Sequence, residues 1–266
     1  MSDLKAHIRD ASHPRNRKLR ALIFGKPGVG KTVLAVQIAL ELGERCLYIP
    51  TEPGDETLED WPDLLARTSV MDYPGINMLR ELASAYREGE FPDHPTLIID
   101  TIDELTEIML DDLVTGYKPA KDTRPKAEPR PGSGLRRLEV AGTDDYRFLR
   151  DGVRPALREI CSLPVNLILL AHVREPTWAD EAKQKATRTP LPAKRADLPA
   201  QTYRLVSKYV GLMGHMTREG GSREVSFKTD SNKEEVKSRI RDLDNRVIDA
   251  DELPGIIRNW SVRTSG

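Results

Sequence analysis

The chain has 266 residues, 38% apolar and only 5% aromatic, with 31% charged. That is enough for one large α/β domain with solvated appendages, but too little apolar content for a protein that buries all of itself. The formal charge of −1 hides an imbalance: residues 41–112 hold 19 Asp/Glu against 4 Arg/Lys, so the remainder is strongly basic. An apolar run of 18 residues and an apolar leader are both missing from the sequence, which points away from a membrane and toward a soluble, cytoplasmic protein. Cys46 and Cys161 show no CxxC spacing and read as buried apolar fillers.

In chain order, residues 1–18 form a polar lead-in. "LRALIFG" (19–25) predicts a buried strand ended by glycine, and "TVLAVQIALEL" (32–42) a buried helix that Gly43 would stop as a C′ residue. "RCLYIPTE" (45–52) is a second strand, "NMLRELASAYREG" (77–89) a helix, "TLIID" (96–100) a third strand and "DELTEIMLDDLVTGY" (103–117) a helix. Residues 118–137 carry four prolines and seven Lys/Arg against two acids, so 118–145 is expected to be a loop. "YRFLRDGVRPALREICSL" (146–163) predicts helix with a break or restart at Pro155, and "VNLILLAH" (165–172) a fourth buried strand. A second long polar loop is expected over 173–199, with six basic and three acidic residues between 174 and 195. A helix at 200–209, a hairpin over 210–230 turning at Gly220-Gly221 and a short helix near 251–260 complete the pattern. Alternating buried strands and helices predict an α/β fold, a mostly parallel sheet flanked by helices with a late antiparallel hairpin. The core spans 19–245 and the tail 246–266.

The stretch Gly25, Lys26, Pro27, Gly28, Val29, Gly30, Lys31, Thr32 satisfies G-x-x-x-x-G-K-[ST] and runs into a helix at Val33. Glycines let backbone N–H groups turn inward around phosphates, and the helix adds the positive end of its dipole. Lys31 is placed for the β/γ-phosphates of ATP and Thr32 for Mg²⁺. Asp100, ending an apolar strand 69 residues after Lys31, has the position of the second Mg²⁺ carboxylate. The residue after it is Thr101, not the Glu that many P-loop motors place there. Glu52, at the end of the second strand, is the candidate general base if that strand neighbours the phosphate-loop strand. His172 ends the fourth strand, where ligands of open α/β sheets bind, and can sense the terminal phosphate. Lys237 and Arg239 lie one residue apart after the hairpin, a spacing open to either a solvated turn or a finger reaching a neighbour's phosphate.

These residues resemble the RecA-like group of P-loop ATPases, which includes recombinases, DnaB-type helicases and KaiC-type proteins. The likeness rests on "GKPGVGKT", "LYIPTEPG", "LIIDTIDEL", "VNLILLAHVRE" and "DLPAQTYRLVSKYVGLMGHM", and is greatest to phage-encoded single-domain members that serve single-strand annealing. The resemblance implies ATP hydrolysis with Glu52 as base, Lys237 and Arg239 as a finger acting in a neighbouring subunit, and assembly into a homo-oligomeric ring or filament. It implies single-stranded DNA and a single-strand-binding protein as partners, in a bacterial host cytoplasm. The group's usual glutamine sensor is here His172. The DNA-binding loops of the group correspond to 118–145 and 173–199, with Tyr117, Tyr146 or Trp178 available to stack on bases. A KaiC-like scaffold or a helicase-like motor remains open, and a small-molecule kinase fits less well because "TEPGDET" offers no Arg for an acceptor pocket.

Overall fold

A computed structural model describes residues 18–52, 55–73, 76–116, 152–188, 192–229 and 233–265. The basic segment 118–145, with Tyr117 and Tyr146, lies outside the described residues, as does most of the lead-in.

The phosphate-loop strand β1 (Arg20–Gly25) is followed by α1 (Lys31–Leu42), β2 (Cys46–Pro50), a short helix α2 (Pro62–Leu65), β3 (Thr68–Val70) and α3 (Ile76–Glu88). Then come β4 (Thr96–Asp100), α4 (Ile102–Gly116), α5 (Arg154–Cys161), β5 (Asn166–Arg174), α6 (Trp178–Thr187) and β6 (Arg195–Ala196). The chain closes with α7 (Ala200–Tyr209), β7 (Leu212–Glu219), β8 (Ser222–Ser226), β9 (Lys237–Ser238), β10 (Val247–Asp249) and α8 (Leu253–Ser265). The strands form one sheet in the order β10-β8-β7-β1-β5-β4-β2-β3, with β6 added to β5 and β9 to β7. From β7 to β3 every neighbour pair is parallel, while β8 pairs antiparallel with both β7 and β10.

Side chains alternate across this sheet and feed two cores. Leu22, Phe24, Ile99 and Leu169 face α3, α4, α5 and α7, while Ala21, Ile23, Ile98 and Ile168 face α1 and α8. Helix α1 is apolar nearly all round because α8 covers the side that the sheet does not. It ends where expected, but Gly43 is extended and not left-handed. Its role is close approach: a Cβ there would lie 2.3 Å from Pro95 Cγ. Gly220 and Gly221, both with positive φ, turn the β7–β8 hairpin as expected.

One condition is not met and one expectation needs correction. β2 does not neighbour β1; it pairs with β4 and β3, and both β5 and β4 stand between it and the phosphate-loop strand. The segment 173–199 is not one polar loop, since it holds α6 and the two-residue strand β6. Helix α6 buries no residue and is set by its cap. Thr177 Oγ1 accepts from Asp180 N at 3.3 Å, and Asp180 Oδ2 accepts from Thr177 N at 2.9 Å.

Gly214 lies where β7 meets β8, and a Cβ added there would sit 2.6 Å from Val225 Cγ1 and 2.7 Å from Phe227 Cε1. Gly214→Ala is expected to destabilise the protein by about 1–3 kcal/mol through overpacking, read as a lower midpoint in urea denaturation.

Candidate functional site: a phosphate cradle at the carboxyl edge of the sheet

The loop between β1 and α1 makes its turn through Gly28 (φ 75°) and Gly30 (φ 97°), conformations that side chains other than glycine's resist. Gly25 permits close approach, because a Cβ there would lie 2.4 Å from the Met216 carbonyl oxygen. Lys31 is buried and its ammonium donates to the carbonyls of Gly25 at 3.1 Å and Lys26 at 3.0 Å. Burial lowers its pKa, while Asp100, Glu52 and Asp103 pull it back up.

Asp100, only 6% exposed, closes β4. Its Oδ2 accepts from Thr32 Oγ1 at 2.6 Å and from Tyr48 Oη at 3.0 Å. Burial nonetheless pushes its pKa up, against the pull of Thr32, Tyr48 and Lys31. A hydroxyl and a desolvated carboxylate oxygen in contact suit a hard divalent cation such as Mg²⁺. The positive-φ glycines, the start of a helix and a buried ammonium suit the phosphates it would accompany. The residues present therefore fit a nucleotide with its metal.

The end of β2 is tied across to β4. Thr51 N donates to the Asp100 carbonyl at 2.8 Å, and Thr51 Oγ1 accepts from Thr101 N at 2.7 Å and donates to the Thr101 carbonyl at 2.8 Å. This clamp aims Glu52 back over the end of β4, so the separation of β2 from β1 does not remove it from the site. Glu52 Oε1 stands 3.6 Å from His172 Nε2. His172 in turn lies beside Gly25 in the register of β5 with β1. Burial raises the Glu52 pKa; His172 and Lys31 lower it, and Asp100 and Asp103 raise it. A carboxylate so placed holds a proton more readily than an exposed glutamate does, which suits a general base.

The residue that sequence reasoning missed is Asp103, in the first turn of α4. Its Oδ2 is 2.7 Å from His172 Nδ1, and its Oδ1 accepts from His172 N at 3.2 Å. Tyr48 and Thr51 were missed as well. All three sit within four residues of Glu52 or Asp100, so proximity along the chain was the one available signal.

The sequence matches the AAA domain family over residues 17–241. The chain belongs to that family. No curated protein matches. Among solved structures the chain is similar to the RadB recombinase, at 15% identity and a TM-score of 0.44 over 85% of this chain and 84% of that one.

In this AAA domain Thr101 follows Asp100, and Glu52 and His172 supply the polar groups beside the cradle. Lys237 and Arg239 stand apart from it. Lys237 pairs with Met213 in register, and Arg239 N donates to the Gly211 carbonyl, beside the start of β1. Arg239 is thus at the amino-terminal edge of the parallel strands, roughly 17 Å from the cradle along the strands at about 3.3 Å per residue, while Lys237, level with Leu22, is roughly 10 Å from it. Lys237 Nζ donates to the Ser207 carbonyl, while Arg239 is exposed. Within one chain the pair and the cradle do not meet.

The segment 174–195 reaches the cradle at its first acid. Glu175, just past β5, is ion-paired with Lys26 at 3.2 Å and with Lys194 at 3.5 Å. Trp178, at the start of α6, is 81% exposed. Among the described residues, no helix is long and apolar enough to cross a membrane.

The raised pKa of Asp100 has a signed consequence. The folded protein holds this proton more tightly than the unfolded chain, so the contribution favours folding at low pH. It is lost as pH climbs past the ordinary carboxylate range and through the raised folded value. Asp100→Asn is expected to raise the melting temperature of the nucleotide-free protein at neutral pH by about 2–4 °C. The gain should vanish near pH 4, as calorimetry across pH will read.

Proposed function

We propose that the chain is a RecA-like ATPase that works with single-stranded DNA in recombination by strand annealing, and that its active site is completed by a neighbouring copy. The observation that carries the ATPase reading is the convergence of four groups from four elements on one edge of the sheet: Lys31, the Thr32–Asp100 pair, Glu52 and His172.

Lys31 and the backbone of residues 25–33 hold the phosphates of ATP. Thr32 and Asp100 hold Mg²⁺, whose chemistry is to neutralise charge on the β- and γ-phosphates. Glu52 takes the proton of the attacking water, and His172 senses the γ-phosphate. Lys237 and Arg239 act on a neighbour's nucleotide, a role supported by their remoteness from their own cradle. The DNA reading is supported by the exposed cations Arg174, Lys183, Lys185 and Arg188, in a segment joined to the cradle through the Glu175–Lys26 pair, and by the exposed Trp178, which offers a stacking surface. A single-strand-binding protein is the expected companion on the same strand.

Steady-state ATP hydrolysis measured with and without single-stranded DNA, at several protein concentrations, tests this. Specific activity should rise with protein concentration and with DNA, and Lys31→Ala and Glu52→Gln should each lower kcat by at least ~100-fold. DNA affinity should fall steeply between 50 and 200 mM salt. Hydrolysis indifferent to DNA and to protein concentration would leave a KaiC-like scaffold ATPase as the better reading.

A further inference from the structure

We propose that Asp103 is a positioning residue for hydrolysis, which fixes the tautomer and orientation of His172 so that Nε2, and not Nδ1, meets Glu52 and the incoming phosphate. The proposal rests on the reading of the cradle as an ATP site.

Asp103 grips His172 at two points, the backbone N–H at 3.2 Å and ring Nδ1 at 2.7 Å. A carboxylate only accepts hydrogen bonds, so Nδ1 must carry the proton in that contact. The opposite nitrogen, Nε2, is then the one turned toward Glu52. It lies 3.6 Å from Glu52 Oε1, too far for a hydrogen bond and near enough that an oxygen arriving at the edge meets both groups. Asp103 and His172 are 69 positions apart and belong to different elements. Their contact exists because β5 lies beside β4, which puts the first turn of α4 against the end of β5.

Charged groups reach this ring from separate elements. Asp103 stands on α4, Glu52 past β2 and Asp100 at the end of β4. Asp197, after β6, meets the His172 carbonyl through its backbone N–H at 2.9 Å. Of these, only Asp103 has a hydrogen bond to the ring. Without it the imidazole is free to turn and to exchange tautomers, while residues 25–33 continue to bind phosphate.

The test combines ¹⁵N spectra of histidine-labelled full-length protein, with His172→Gln to assign the signal, and hydrolysis kinetics. In wild type, Nδ1 of His172 should be protonated throughout. Asp103→Ala should give the mixed tautomers of an unrestrained imidazole and a kcat lower by about 10–100-fold, with Kd for ATP within twofold. Asp103→Asn, whose side-chain carbonyl can accept the same Nδ1–H, should restore the tautomer and part of the rate. An unprotonated Nδ1 in wild type, or an unchanged kcat in folded Asp103→Ala, would overturn the proposal. So would an equal loss of ATP affinity and rate in both variants. Should Asp103→Ala fail to fold, the wild-type and Asp103→Asn spectra decide the matter. Should wild type bind ATP without hydrolysing it, the ATPase reading falls, and the spectra still decide whether Asp103 sets the tautomer.

Discussion

A buried carboxylate has to be held, and the way Asp100 is held organises the molecule. Two hydroxyls from separate elements, Thr32 on α1 and Tyr48 on β2, donate to the same oxygen of a group that water scarcely reaches. Charge in such a place is expensive unless it is paired. The two donors reduce the penalty without removing it, as the raised pKa shows. A cation placed there would remove most of what remains. The contact also sets the relation of α1, β2 and β4 to one another, and so the positions of Lys31 and Glu52.

The strand order turns that fixed point into a reaction edge. With β5 next to β1, His172 stands beside the first glycine of the cradle. With β4 next, Asp100 and the first turn of α4 arrive one strand further on. β2 is a further strand away, and Glu52 is returned to the site by the Thr51 hydrogen bonds to the Asp100–Thr101 backbone. A carboxylate three strands from the phosphate loop thereby stands within 3.6 Å of His172. The sheet supplies the lateral offsets, and one threonine supplies the reach.

Much of this was legible in the sequence, because the constraints were local. A phosphate cradle needs its glycines and its Lys-Thr at fixed spacing, and strands buried on both faces show as apolar runs. The hairpin showed through Gly220-Gly221. What failed to show was of two kinds. Short or solvated elements carry no apolar period: Thr68–Val70 has three residues, and α6 buries none, although its Thr177–Asp180 cap was a signal available in the sequence. Juxtapositions made by the sheet leave no mark on either partner alone. Asp103 looks like an ordinary first-turn acid until β4 and β5 are known to be neighbours. The same holds for Glu52, whose strand reaches the site without neighbouring β1.

Lys237 and Arg239 lie away from the cradle along the strands, so the two features occupy different places on one chain. A two-fold dimer can bring such unlike features together only reciprocally, with both contacts made at once across one shared interface. A head-to-tail contact makes each meeting singly and repeats by its nature, closing when the rotation allows and continuing when it does not. The separation of the two features within one folded chain therefore leaves a reciprocal or a serial arrangement for any assembly in which these two cations meet a phosphate.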